Sequence, residues 1–116
     1  VDFSRIRDIG RHDVDFQRRI ITLFIGETEN WREAIIGAIQ GGDFGALRGV
    51  AHSLKGGADN IGASRVAESA AQLQNVAEDD NAEACLEIRD RLFQEMDDAI
   101  DQLREYLLRL ESGDID

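Results

Sequence analysis

Proline is absent from this 116-residue chain, and cysteine, methionine, tryptophan and tyrosine occur once each. A lone cysteine, Cys85, excludes an internal disulfide and suits a reducing, cytoplasmic setting. Only two histidines are present, His12 and His52, so no ligand set at zinc spacing exists and no metal site is expected. No apolar run approaches the roughly 20 residues that span a bilayer, and the N-terminus lacks the basic-then-apolar order of a secretory signal. Cations are also scarce: 13 Lys plus Arg stand against 24 Asp plus Glu, a net charge of −11. That charge repels nucleic-acid phosphates and anionic lipid alike, which leaves another protein as the expected partner.

With 42% hydrophobic residues the chain can bury one modest core, so one domain is expected over 1–116. Strand-type alternation is hard to find, and most apolar residues recur at steps of three and four, the mark of amphipathic helices. After a lead-in over residues 1–12 that holds Phe3, Ile6 and Ile9, Asp13 reads as an N-cap. Phe16, Ile20, Leu23 and Phe24 then form the expected inner stripe, with Gly26 as a point of breakage or bending. Apolar spacing resumes at Trp31, Ala34, Ile35, Ala38 and Ile39. Gly41-Gly42 supplies a left-handed cap, and Asp43 caps the next helix.

From Phe44 to Asn60 a helix presents Leu47, Ala51, Leu54 and Ala58, continued by Ile61, and Gly62 ends it. Val66, Ala70, Leu73 and Ala77 repeat the pattern, and Asn81 caps a long last helix marked by Leu86, Phe93, Met96, Ile100, Leu103, Leu107 and Leu110. The sum is an all-α chain: an antiparallel up-and-down four-helix bundle over 13–111, with a short helical lead-in and a flexible tail over 112–116. Internal repeats and low-complexity tracts are absent.

At 100° per residue, the apolar face of the 44–60 helix points nearly opposite to His52, which should therefore face water. Its neighbours on that outer face are Gly45, Arg48, Gly49, Lys55, Gly56 and Asp59. Glycine inside a helix costs about 0.5–1 kcal/mol relative to alanine, so Gly49, Gly56 and the inward-leaning Gly57 together give up about 2 kcal/mol and call for a compensating role. Helical side chains lean toward the N-terminus, so the residue that would shade His52 is the one four places later, Gly56. A bare position there leaves the imidazole open to a bulky electrophile. An imidazole, with an ordinary pKa of about 6.5, is largely neutral at pH 7 and nucleophilic without a helper base. Lys55 and Arg48, one turn to either side, put cations where a phosphoryl group on His52 would sit. They also make a small positive spot that could orient a partner with an acidic, Mg²⁺-holding pocket.

The run Ala51-His52-Ser53-Leu54-Lys55-Gly56-Gly57-Ala58-Asp59-Asn60-Ile61-Gly62-Ala63 resembles the His-x-Leu-Lys-Gly signature of histidine-containing phosphotransfer (HPt) domains. The likeness extends upstream through Trp31, Ala34, Ala38 and Gly42-Asp43 and downstream from Val66 to Ala77, about residues 13 to 80. Residues 1–12 have no clear counterpart, and Gln74 stands where many relatives carry glutamate. The resemblance implies a four-helix bundle whose acceptor, His52, is phosphorylated on Nε2, with Lys55 near the phosphate and Gly56 giving clearance. Arg48, Gly49, Asp59 and Asn60 then fall on the partner-binding face. It further implies a phosphoryl carrier without a nucleotide site or kinase activity. The carrier needs no cofactor of its own; Mg²⁺ is expected on the partner. Expected partners are response-regulator receiver domains, with a hybrid sensor histidine kinase as a further candidate, and the chain itself is expected to be a monomer.

A lone exposed histidine on a helix is ordinarily plain surface; the cations and glycines around His52 set it apart, whereas His12 has no such company and reads as a solvated turn residue. Arg48 could equally snorkel along the surface, Asp59 and Asn60 could be the last polar turn of their helix, and Trp31 and Phe44 read most simply as core. The competing function is a bundle that docks a partner through the same face without being phosphorylated. A third reading, the dimerisation segment of an ordinary sensor kinase, fits poorly: such segments follow the histidine with an acidic residue and soon a proline, whereas Ser53 follows here.

Overall fold

The computed structural model describes residues 1–114. Five helices follow one another: α1 Phe3–Ile9, α2 Val14–Gln40, α3 Phe44–Ile61, α4 Ser64–Glu78 and α5 Ala82–Ser112. No strand occurs among the described residues. The boundaries have local chemical causes. Asp13, Asp43 and Asn81 each accept, through a side-chain oxygen, the backbone N–H three residues on, which satisfies a donor that the first helical turn leaves open. The α2–α3 turn closes with Gly42 at φ +64°, and α3 ends at Gly62 with φ +78°, a region where a Cβ is strained. Gly113 caps α5; of the expected tail, Ile115 and Asp116 lie outside the described residues.

Short turns force successive helices to run antiparallel. α2 packs on α3 and α5, and α4 packs on the same two, so the four long helices form a closed ring around one core, as the apolar spacing predicts. Leu47, Ala51, Leu54, Ala58 and Ile61 of α3 are all buried, as are Val66, Ala70, Leu73 and Ala77 of α4.

Two inner stripes differ from expectation. In α2 the buried positions are Gln17, Ile21, Phe24, Thr28, Ile35 and Ala38, while Phe16 and Leu23 are exposed, Leu23 by 69%, and Ala34 is exposed as well. The inward stripe contains two polar residues, and both are satisfied. Gln17 Oε1 accepts the Tyr106 hydroxyl at 2.7 Å, and the Thr28 hydroxyl donates to the Ile25 carbonyl at 2.6 Å. Hydrophobic spacing alone cannot see such a stripe. In α5 the seam is Cys85, Leu92, Met96, Ala99, Leu103, Tyr106 and Leu110; Phe93, Ile100 and Leu107 sit at its margin and Leu86 is exposed. Gly26 neither breaks nor ends α2, which runs on through it.

Helix lengths explain the role of α1. At 1.5 Å per residue the 27-residue α2 and 31-residue α5 extend about 40 and 46 Å, against about 27 and 22 Å for α3 and α4. The N-terminal half of α2 and the C-terminal half of α5 therefore overhang the α3–α4 hairpin, joined to each other by the Gln17–Tyr106 hydrogen bond and an Arg18–Glu111 ion pair. α1 fills the space so left: Ile6 is fully buried, the Phe3 ring stacks on Tyr106 with centroids 4.6 Å apart, and the Asp2 N–H donates to the Gly62 carbonyl at 2.8 Å.

Candidate functional site

His52 lies on the outer face of α3, near the middle of the helix, and is exposed. The backbone that carries it is rigidly set, because Ala51, just before it, and Leu54, two residues on, are fully buried in the core. An imidazole fixed at its root and open at its tip is what an in-line attack on a phosphoryl group requires.

Of the four glycines of α3, the three at positions 49, 56 and 57 separate into two kinds. A Cβ added to Gly57 would stand 2.8 Å from Trp31 Cη2, so packing against α2 demands a bare position there. A Cβ added to Gly49 or Gly56 meets nothing within 4 Å. No contact among the described residues requires these two glycines, and both flank His52 on its outer face. Their loss of helix stability is left without an internal compensation, which points to something that approaches from outside.

The two cations behave differently. Lys55 is half-buried and makes no ion pair or hydrogen bond among the described residues. A helical side chain leans toward the N-terminus, so its stem runs over the turn that holds His52. Arg48 leans the same way and hence away from His52: its Nη2 lies 3.8 Å from where a Cβ on Gly45 would be. Asp59 and Asn60 are exposed about two turns beyond His52, and the Asp59 carbonyl accepts a hydrogen bond from Arg5 Nη2 at 3.2 Å.

The sequence pattern missed a groove beside this face. Ile9 of α1, Ile20, Leu23, Phe24, Glu27 and Trp31 of α2, and Gly57, Asn60 and Ile61 of α3 line an open, mostly apolar depression of about 490 Å³. It begins where Gly57 and Asn60 lie, roughly 8–12 Å along the helix axis from His52. The available signal was the width of the apolar arc on α2: residues 16, 20 and 23 lie to one side of the 17, 21, 24 and 28 stripe, more than one core face needs. Trp31, read as core, is half-buried, packed on Gly57 and tilted against Phe24 at 5.6 Å between centroids. A larger depression of about 640 Å³ between the N-terminal residues, α4 and α5 carries Asp2, Glu95, Asp98 and Asp101 against a single arginine, Arg65, the wrong balance for a phosphoryl group.

The Hpt domain family model matches residues 19–112. The chain belongs to the Hpt domain family. The fold agrees: the crystal structure of histidine-containing phosphotransfer protein B (HptB) from Pseudomonas aeruginosa PAO1 superposes with a TM-score of 0.88 at 23% sequence identity, over 94% of this chain and 95% of that one. A comparison with curated proteins finds no match. The match to the Hpt family covers α3 whole and most of α2, and leaves α1 outside it.

Among the described residues no helix of this Hpt domain is long and apolar enough to cross a membrane, and no cluster of His, Cys, Asp and Glu could hold a metal ion. Cys85 is fully buried, and burial pushes its thiol up from the ordinary value, as befits a small core residue. His12 is exposed in the α1–α2 turn.

Proposed function

We propose that this Hpt domain carries a phosphoryl group on His52 and exchanges it with an aspartate of a receiver domain in a multistep phosphorelay. The observation that carries this is the open ring: an exposed imidazole on a rigid helix, with unoccupied space over Gly49 and Gly56 and, one turn away, a Lys55 that is unpaired among the described residues. In the transfer step the Nε2 lone pair attacks phosphorus as the aspartyl O–P bond breaks, the aspartate leaves as a carboxylate, and the ring proton stays on Nδ1. Lys55 neutralises charge on the equatorial oxygens. The receiver supplies Mg²⁺, so the Hpt chain needs no cofactor or nucleotide and acts as a carrier, not a kinase.

The groove supports a place for the partner. An apolar helix face of the receiver, docked on Leu23, Ile20, Ile9 and Trp31, would bring its phosphorylated aspartate over the adjacent His52, and Arg48, Gly49, Asp59 and Asn60 would form the polar margin. The negative net charge favours a receiver whose docking face is basic around its acidic pocket. Action as a monomer in the cytoplasm completes the proposal.

The test is direct. Incubated with a phosphorylated receiver, the wild-type domain should gain an acid-labile, base-stable label, and His52→Gln should gain none while keeping its helical circular dichroism. If phosphoryl flow through the relay persists with His52→Gln, the domain is a docking adaptor and the carrier role is wrong.

A further inference from the structure

The partner groove is incomplete without α1. Its floor and one wall come from α2 and α3, and the closing wall at the overhang is Ile9, the last residue of α1, exposed by 40%. α1 has seven residues, far fewer than the roughly 12–15 at which an isolated helix becomes even marginal in water, so it exists only while docked. The turn that returns the chain to α2 works against that docking. Arg11 and His12 both sit in the left-handed region, at φ +53° and +60°, where a residue with a Cβ is disfavoured.

The contacts that hold α1 and its leading residues down lie outside the groove. Ile6 is fully buried, Phe3 stacks on Tyr106, Arg5 donates to the Asp59 carbonyl at 3.2 Å, and the Asp2 N–H donates to the Gly62 carbonyl. Gly62 is tailored to this seat, since a Cβ there would lie 2.4 Å from the Asp2 carbonyl oxygen. The same docking thus fixes the last turn of α3, from which Asp59 and Asn60 project, and places Ile9 in one depression with Leu23 and Trp31.

We propose that α1 is a docked wall of the receiver groove, so that receiver binding and α1 docking are thermodynamically coupled, with Phe3 and Ile6 as positioning residues. This rests on the receiver-exchange function above. A receiver that binds only the docked form sees its apparent affinity reduced by the fraction of chains with α1 released: a variant docked in one molecule of ten binds about tenfold more weakly. Linkage is reciprocal, so a bound receiver protects α1 by the same factor.

The experiment pairs Phe3→Ala and Ile6→Ala with the wild-type chain and a receiver shown to phosphorylate it. Amide hydrogen exchange over residues 3–9, receiver affinity and labelling of His52 by the small donor phosphoramidate are measured on each. Phosphoramidate needs no groove: its P–N bond breaks, ammonia leaves, and His52 takes the phosphoryl group. The expected result is lost protection across α1, receiver affinity lower by about three- to tenfold, and unchanged phosphoramidate labelling in both variants, with α1 protection rising in the wild type when the receiver binds. Released α1 with undiminished receiver affinity overturns the coupling. So does unaltered α1 protection in both variants, because the latch would then lie elsewhere. Failure of any receiver to label wild-type His52 strikes the carrier function itself and is visible before any variant is compared.

Discussion

The Trp31 indole occupies the space that a side chain on Gly57 would need: its Cη2 and Cζ2 stand 2.8 and 3.2 Å from a Cβ at that position. α2 and α3 approach closely here, and the ring they share forms one wall of the groove beside His52. Gly57→Ala gains about 0.5–1 kcal/mol of helix propensity and loses about 1–3 kcal/mol to overpacking against a rigid ring. A net loss of about 1 kcal/mol is expected, read as a lower urea midpoint at constant m-value. A higher midpoint would mean that the indole swings freely aside and does not fix the α2–α3 approach.

Gly56 predicts the opposite sign. With nothing within 4 Å of its Cβ position, Gly56→Ala should stabilise the fold by about 0.5–1 kcal/mol, and Gly49→Ala likewise. Phosphotransfer from a receiver should slow in Gly56→Ala and fall more than about tenfold in Gly56→Leu, whose side chain leans over His52. Wild-type transfer by Gly56→Leu would remove clearance as the reason for the glycine.

Lys55 and Arg48 separate by direction. Loss of one charge-assisted hydrogen bond to the transferring phosphoryl group is worth about 1.5–3 kcal/mol, so Lys55→Ala should slow transfer by about 10- to 100-fold. Arg48→Ala, whose guanidinium lies back over Gly45, should change it by less than about threefold. Single-turnover rates with one phosphorylated receiver decide the order, and a larger effect at Arg48 would show that its side chain turns toward His52 in the complex.

Tyr106 links the overhang to pH. Burial raises its phenol above the ordinary value of 10.0, against the pull of Arg7 and Arg109, and its hydroxyl donates to Gln17. A raised folded pKa means that the folded chain holds the proton longer than the unfolded one. The stability from Tyr106 is therefore complete below pH 10 and is lost as pH climbs from there through the folded value. Cys85, also raised from its ordinary 9.0, contributes in an overlapping range. Tyr106→Phe should cost about 1 kcal/mol near neutrality and show a shallower alkaline decline than wild type in urea titrations at stepped pH. Equal slopes would show that the phenol does not drive the decline.

The outward direction of His52 and most of the α3–α4 hairpin were legible because their information is local. The caps at Asp43 and Asn81, the stop at Gly62 and the unbroken apolar faces of α3 and α4 depend on residues within one or two turns of each other. α2 was misread at Phe16 and Leu23, where apolar side chains exceed what the core can cover, and at Gln17 and Thr28, where polar ones go inside. Burial of Gln17 depends on Tyr106, 89 positions away, and no periodicity carries that fact. The groove was hidden for the same reason.

Local chemistry along the chain was enough to determine an all-helical bundle, the outward direction of His52, and the bare and cationic positions around it, since helix geometry alone relates residues three and four apart. Only the tertiary structure decided that α2 and α5 overhang their partners, that α1 fills the gap, and that Ile9, Leu23 and Trp31 meet as a groove. Those relations depend on helix length differences and on contacts between segments distant in sequence, where side chains compete for one shared volume and no single stretch of chain holds the answer.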